Sequence, residues 1–187
     1  MSPRRVAVYG GSFDPPHLGH VLSVAWALTA TDTDEVWIVP TWVHAFDKKH
    51  GATFEQRMSM CELAFECFRH VKVLDVERRL AGVSRTLETL KTLAKQHPSV
   101  AFRLLVGADV LPTTDRWYRW EDVVKIAPPL VVGREGYPAP EDCPVSIPNI
   151  NSTDIRSRLA RSEDLSGIVP RAVLEHLRSQ DLYRGVE

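Results

Sequence analysis

A doubly wound α/β fold on a parallel sheet is what this sequence predicts, on three observations. Short apolar, β-branched runs alternate with longer segments of helical period along most of the 187 residues. Pro98 and Pro128-Pro129 close two of those helical segments. The first strand also runs straight into a glycine turn that opens the first helix, Gly10-Gly11-Ser12-Phe13-Asp14-Pro15-Pro16-His17-Leu18-Gly19-His20. Strand and helix alternating in this way call for parallel βαβ units, whose ligands sit beyond the carboxyl ends of the strands.

The elements follow in order. Val6-Ala7-Val8-Tyr9 ends a strand over 4–9, and the apolar pattern from Val21 to Leu28 marks a helix over 17–31. A strand over 35–40, Glu-Val-Trp-Ile-Val-Pro, leads through Lys48-Lys49-His50-Gly51, the best candidate for an exposed loop, to a helix over 53–69. Strands over 71–76, 101–106 and 130–133 alternate with helices over 84–97 and 116–126. The stretch from Gly133 to Pro148 holds four prolines and three acidic residues and reads as an ordered, irregular loop. Two short helices, 152–160 and 170–179, flank Ser166-Gly167 near the end. With no repeat, low-complexity tract or linker, residues 1–187 are expected to form a single domain that includes the helical part from about 150 onward.

Composition narrows the class. At 44% hydrophobic and 25% charged residues the chain is an ordinary globular protein. A net charge of -1 supplies no global field toward nucleic acid or an anionic membrane, and no basic cluster stands out. Cys61, Cys67 and Cys143 are odd in number and lack metal-site spacing, so reduced thiols in a cytoplasmic protein are expected. A strand starting at Arg4 leaves no room for a signal peptide, and no apolar run reaches the roughly 18 residues of a membrane span. Homo-oligomerisation stays open.

The glycine turn carries the chemistry. Gly10 and Gly11 let the backbone approach a ligand closely, and Pro15-Pro16 suit a helix start. Unpaired N–H groups and the positive end of the helix dipole then favour an anion. His17 and His20, three apart, share one helix face about 5–6 Å from each other, where paired imidazoles could grip a polyphosphate. Zinc is the other use of two histidines, but helical pairs more often stand at i, i+4, and no third ligand is near in sequence. A second anchor lies at Ile150-Asn151-Ser152-Thr153-Asp154-Ile155-Arg156. Its capping residues open a helix, and Arg156 adds a planar fork suited to phosphate oxygens.

The G-x-F-x-P-x-H-x-G-H string resembles the HxGH nucleotidyltransferase superfamily, and nearly the whole chain resembles its bacterial nicotinate-nucleotide adenylyltransferases. That resemblance implies a Rossmann-like α/β fold in which Gly10, Gly11, Ser12, Phe13, His17 and His20 hold ATP. It also implies ATP contacts from Gly107, Asp109 (to a ribose hydroxyl), Ile150, Asn151, Ser152, Thr153 and Arg156. Asn151 stands where the family usually has serine. Lys48 would add a cation beside the phosphates, and Asp47 stands where relatives often have glycine. His17, His20, Arg156 and Lys48 are the expected catalytic groups. The mononucleotide would be met by His44, Ser84, Arg85, Thr86, Trp117 and Arg134, with Ser84-Arg85-Thr86 at a helix start receiving the pyridine carboxylate and Trp117 stacking on the ring. Arg85 replaces the family's tyrosine. Ser84 taken alone is as easily an N-cap, and Trp117 or Trp120 as easily core. His70, His97 and His176 read as solvent-facing or core-satisfied imidazoles.

The implied reaction joins nicotinate mononucleotide to the AMP part of ATP, giving nicotinate adenine dinucleotide and pyrophosphate in NAD synthesis. Mg²⁺ would be held mainly by the ATP phosphates, with no metal ligands from the protein and no nucleic-acid or membrane partner. The rivals are another nucleotidyl transfer (phosphopantetheine adenylyl or cytidylyl), a tRNA-synthetase-like enzyme, and a nucleotide sensor without turnover. The synthetase-like reading would need an RNA-binding domain and a basic surface, which this length and charge do not supply.

Overall fold

A computed structural model of the chain describes residues 3–43, 51–82, 84–138, 143 and 145–183. Its elements are β1 (Arg4–Gly11), α1 (Leu18–Ala30), β2 (Glu35–Pro40), α2 (Phe54–Phe65), β3 (Val71–Val73), α3 (Val76–Leu80), α4 (Thr86–Gln96), β4 (Val100–Gly107), a 3-10 segment (Ala108–Arg116), α5 (Trp120–Ile126), β5 (Pro129–Arg134), β6 (Ser146–Ile147), α6 (Ser152–Ala160) and α7 (Arg171–Ser179). The six strands form one parallel sheet in the order β3-β2-β1-β4-β5-β6. The fold class is therefore the one the alternation predicts.

Both sheet faces are covered, which is why the strands read as near-continuous apolar runs. Val6 and Val8 of β1 face a core shared with Leu87, Leu90 and Leu93 of α4 and Val123 of α5. Ala7, between them, faces a second core shared with Val24 and Ala27 of α1 and Met60 of α2. Ile155 of α6, Val173 and Leu177 of α7, and Tyr183 belong to that second core, so the C-terminal helices pack on the same sheet. Strand order reverses between β1 and β4, and the crevice beyond their carboxyl ends is where an open α/β sheet takes its ligand.

The structure departs from the sequence expectations in five places. Pairing in β3 stops at Val73, because the chain turns at Asp75 into a short helix, α3, that the β-branched run concealed. Helix α2 ends at Phe65, where Phe68 folds back in a tight turn (Phe68 N–H to Phe65 O, 3.0 Å) and packs on the core. Helix α4 begins at Thr86 with Arg85 as its N-cap, so Ser84 does not cap it. Helix α5 begins at Trp120 rather than 116. Before it the chain winds as 3-10 turns through Pro112, with Thr113 and Thr114 hydroxyls donating to carbonyls three residues back (2.8 and 3.0 Å). Finally, the loop expected over 133–148 contains β6, which extends the sheet beside β5. Among the described residues no helix is long and apolar enough to cross a membrane.

Candidate active site

The glycine turn before α1 builds its two histidines into one unit. His17 is the N-cap of α1, and its backbone N–H donates to His20 Nδ1 at 3.1 Å. Because that N–H can only donate, His20 Nδ1 is the acceptor and a neutral His20 carries its proton on Nε2. The two rings lie 3.8 Å apart between centroids, with Phe13 beneath His20 at 4.8 Å. A Cβ on Gly19 would meet the His17 ring at 3.1 Å, which explains glycine between the histidines. His17 is 3% exposed, and its Nδ1 has no hydrogen-bond partner among the described residues. One of the helix-start N–H groups is already occupied, since Leu18 donates to Ile168 O at 2.8 Å.

The second anchor is strapped to the first. Asn151 caps α6, its Oδ1 accepting from Asp154 N–H at 2.8 Å. Ser152 Oγ donates to Pro15 O at 2.9 Å, and Arg156 Nη1 donates to Asp14 O at 2.7 Å. Thr153 Oγ1 accepts from Arg156 Nη2 at 3.3 Å. Both helix starts thus sit on the same short turn.

Arg134 lies on this side too, not with the residues expected to hold the mononucleotide. It donates to Ile150 O, reaches Asn149 Oδ1 at 3.3 Å, and stands 3.5 Å from Asp109 Oδ1. A Cβ on Gly107 would overlap Asp109 Oδ1, so the glycine leaves room for that carboxylate at the end of β4. Asp109 Oδ1 is buried and accepts no hydrogen bond among the described residues.

A cavity of about 410 Å³ opens beside the turn. Gly10, Gly11 and Ser12 line one part of it, and Ser84, Arg85, Thr86 and Trp117 another. Trp117 stands edge-on to Trp120, and the Arg85 guanidinium lies 4.2 Å over the Tyr118 ring. Ser84 acts as a latch: its Oγ accepts from Trp42 N–H and Val43 N–H at 3.0 and 3.2 Å. Glu77, 7% exposed, also borders the cavity, accepting from Trp42 N–H at 3.1 Å and from the Thr89 hydroxyl at 3.0 Å. Burial raises its pKa, opposed by the bonds from Ser84, Trp42 and Thr89. Glu77 and Tyr118 escaped the sequence reading. A lone carboxylate after a strand-like run carries no signal of burial, and an arginine–tyrosine stack has no sequence pattern.

Electrostatically the site is unusual. Desolvation, then the Arg134 charge, pushes His17 down to about 3. Burial, then neighbouring His17 and Arg134, holds His20 well below the usual imidazole range. Both are neutral at pH 7, and a nearby anion would favour their charged forms. His44, Lys48 and the loop neighbours Asp47, Lys49 and His50 lie outside the described residues. His70 is exposed, His97 stands edge-on to Trp37, and His176 is half-buried.

Comparison with known proteins follows the same lines. Residues 8–158 match the family model described as cytidylyltransferase-like. A protein of Anaeromyxobacter dehalogenans (strain 2CP-C), named "Probable nicotinate-nucleotide adenylyltransferase", is 46% identical over 97% of this chain and 98% of its own. One of Myxococcus xanthus (strain DK1622) with the same name is 34% identical over 96% of this chain and 94% of its own. Among solved structures, Plasmodium falciparum nicotinic acid mononucleotide adenylyltransferase complexed with NaAD superposes with a TM-score of 0.82, covering 96% of this chain and 97% of its own. At 20% identity it shares the fold.

Two outcomes are expected. His17 has a folded pKa of about 3 against an unfolded value of 6.5, so it is the unfolded chain that takes up the proton between them. Its contribution is intact above 6.5 and is lost as pH falls toward 3. Denaturant melts of wild type and His17→Asn across that window should show a flatter acid slope in the variant; equal slopes would contradict the assignment. Replacing His20 by Ala should lower kcat by on the order of a hundredfold, roughly 2.7–4 kcal/mol, in a protein whose circular dichroism is unchanged. Near-normal turnover would remove His20 from the chemistry.

Proposed function

We propose that this chain, which belongs to the cytidylyltransferase-like family and within it to the nicotinate-nucleotide adenylyltransferases, transfers AMP from ATP to nicotinate mononucleotide. The products are nicotinate adenine dinucleotide and pyrophosphate, a step of NAD biosynthesis. The observation that carries the reading is the shared cavity. Residues of the phosphate turn, Gly10 to Ser12, line the same space as Ser84, Arg85, Thr86 and Trp117, so both substrates have walls in one chamber.

The mononucleotide phosphate is already ionised near pH 7 and needs no general base. Its oxygen attacks the α-phosphorus of ATP in line, forming the new P–O bond as the bond to the β-phosphate oxygen breaks, and pyrophosphate leaves with that electron pair. No covalent enzyme intermediate forms. The difficulty is assembling several anions, so rate comes from positioning and electrostatic stabilisation. His17, His20, Arg156 and the starts of α1 and α6 meet the triphosphate, Lys48 adds charge from its loop, and Arg134 joins them rather than the mononucleotide. Asp109, with an unoccupied acceptor, suits a ribose hydroxyl. Gly107, Phe13, Ile150, Asn151, Ser152 and Thr153 complete the ATP side.

On the acceptor side, the pyridine carboxylate meets Thr86 and the start of α4, while Trp117 stacks on the ring. The Arg85 cation at the same cavity favours the acid over the amide. His44 is assigned here on resemblance alone. Magnesium, which prefers octahedral oxygen ligands, would be carried mainly by the triphosphate oxygens and water, where it offsets their charge. The same reading makes residues 1–187 one domain, supported by the core that α6 and α7 share with the sheet, and puts the protein in the cytoplasm with its substrates.

Chromatography of products formed from Mg-ATP with the acid or the amide mononucleotide tests the assignment. Nicotinate adenine dinucleotide plus equimolar pyrophosphate is expected, with the amide much the poorer substrate. Pyrophosphate release with phosphopantetheine or an alcohol phosphate as acceptor, and none with the pyridine nucleotide, would point to another nucleotidyl transfer. ATP binding without turnover would point to a sensor. Trp117→Ala should raise KM for the mononucleotide about tenfold or more, the worth of a lost aromatic stack with its buried area, and leave KM for ATP near its parent value. An unchanged mononucleotide KM would contradict the stacking role.

A further inference from the structure

Asp14, in the middle of the phosphate turn, is a buried carboxylate to which the reaction gives no task. It is 1% exposed. Its Oδ2 accepts from Gly51 N–H at 2.7 Å, and its Oδ1 accepts from Ala52 N–H at 3.1 Å and from the Tyr183 hydroxyl at 2.6 Å. Arg156 approaches the same residue differently. Its Nη1 donates to the Asp14 backbone carbonyl at 2.7 Å but stays 3.7 Å from Oδ2. The guanidinium thus donates to the peptide oxygen and meets the carboxylate only as a longer ion pair at Oδ2, beyond hydrogen-bond distance.

That standoff needs a cause, because a buried carboxylate beside an arginine favours a short, charge-assisted pair. The other buried cation nearby, Arg57, does not supply it, since its fork is spent on Ser12 O and Thr41 O at 2.8 and 2.7 Å. What satisfies Asp14 is its three neutral donors, and one of them is a side chain from the far end of the chain. Tyr183 is 4% exposed with its ring in the core. Burial, then the Asp14 charge, raises its pKa far above the usual phenol value, so it donates at any working pH.

We propose that Tyr183 is a positioning residue for Arg156: by holding Asp14 Oδ1 with its hydroxyl, it keeps the carboxylate from capturing the guanidinium and leaves that charge to the triphosphate. The inference rests on the reading of Arg156 as a phosphate-binding residue and extends it to a side chain that touches no substrate. Without the hydroxyl, Oδ1 loses a donor, the carboxylate can turn on its side chain, and its less offset charge draws Arg156 in from 3.7 Å at Oδ2.

Tyr183→Phe tests this with the ring kept in the core. The expected result is a fall of about tenfold in kcat/KM for ATP, the scale of one displaced charge-assisted contact. KM for the mononucleotide should stay close to its parent value, and the melting temperature should fall only by the few degrees of one lost buried hydrogen bond. A double-mutant cycle with Arg156→Ala separates positioning from fold maintenance. Once Arg156 is gone, Tyr183→Phe should cost nothing further in kcat/KM for ATP. Unchanged kinetics in the single variant would overturn the proposal. So would a loss that persists undiminished in the Arg156→Ala background, or one that strikes both substrates equally along with melting temperature. If Arg156→Ala itself leaves ATP kinetics intact, the phosphate reading of Arg156 fails and this inference falls with it.

Discussion

Everything at the catalytic edge depends on one join: the start of α6 is tied to the turn that precedes α1. Ser152 Oγ holds Pro15 O, and Arg156 holds Asp14 O, across 137 and 142 residues of sequence. Each bond is ordinary in strength, about 0.5–3 kcal/mol net. Their value is geometric. They set two positive helix termini on one short stretch of backbone, so that a single polyphosphate can meet both. Core packing then fixes the join, because Ile155 is fully buried beneath it among residues of the sheet and of α1, α2 and α7.

The site's charge is arranged in an economical way. The two imidazoles are kept neutral by burial and by Arg134, while the permanent cations stand on guanidinium groups. A triphosphate beside them would act against that balance, because an anion favours the charged imidazole. The cavity beside it follows a different logic: apolar walls and aromatic rings, with polar groups at the start of α4, at the latch of Ser84, Glu77 and Thr89, and at Ser12, Thr41 and Arg116.

Much of this was legible in the sequence, for a physical reason. The phosphate turn is one contiguous string, so its glycines, prolines and histidines declare their spacing directly, and Gly19 proves necessary for the His17 ring. Asn151 behaves as its capping chemistry says it should. Resemblance added Ser84 to Thr86 and Trp117, which do line one cavity. What stayed hidden was non-local or locally ambiguous. Arg134 belongs beside Asp109 and Ile150, a matter of strand order that no window of sequence contains. Ser84 has the look of an N-cap, yet it spends its lone pairs on Trp42 and Val43. The β-branched run after Val71 conceals α3, and Tyr183 reaches Asp14 from 169 residues away.

The most direct measurement is a crystal structure of the protein with a non-hydrolysable ATP analogue. The account requires nitrogens of His17, His20 and Arg156 to lie within about 3.2 Å of oxygens of the same triphosphate, with the α-phosphorus facing the cavity that Trp117 lines. A triphosphate resting on one helix start alone, with the other facing solvent, would contradict it.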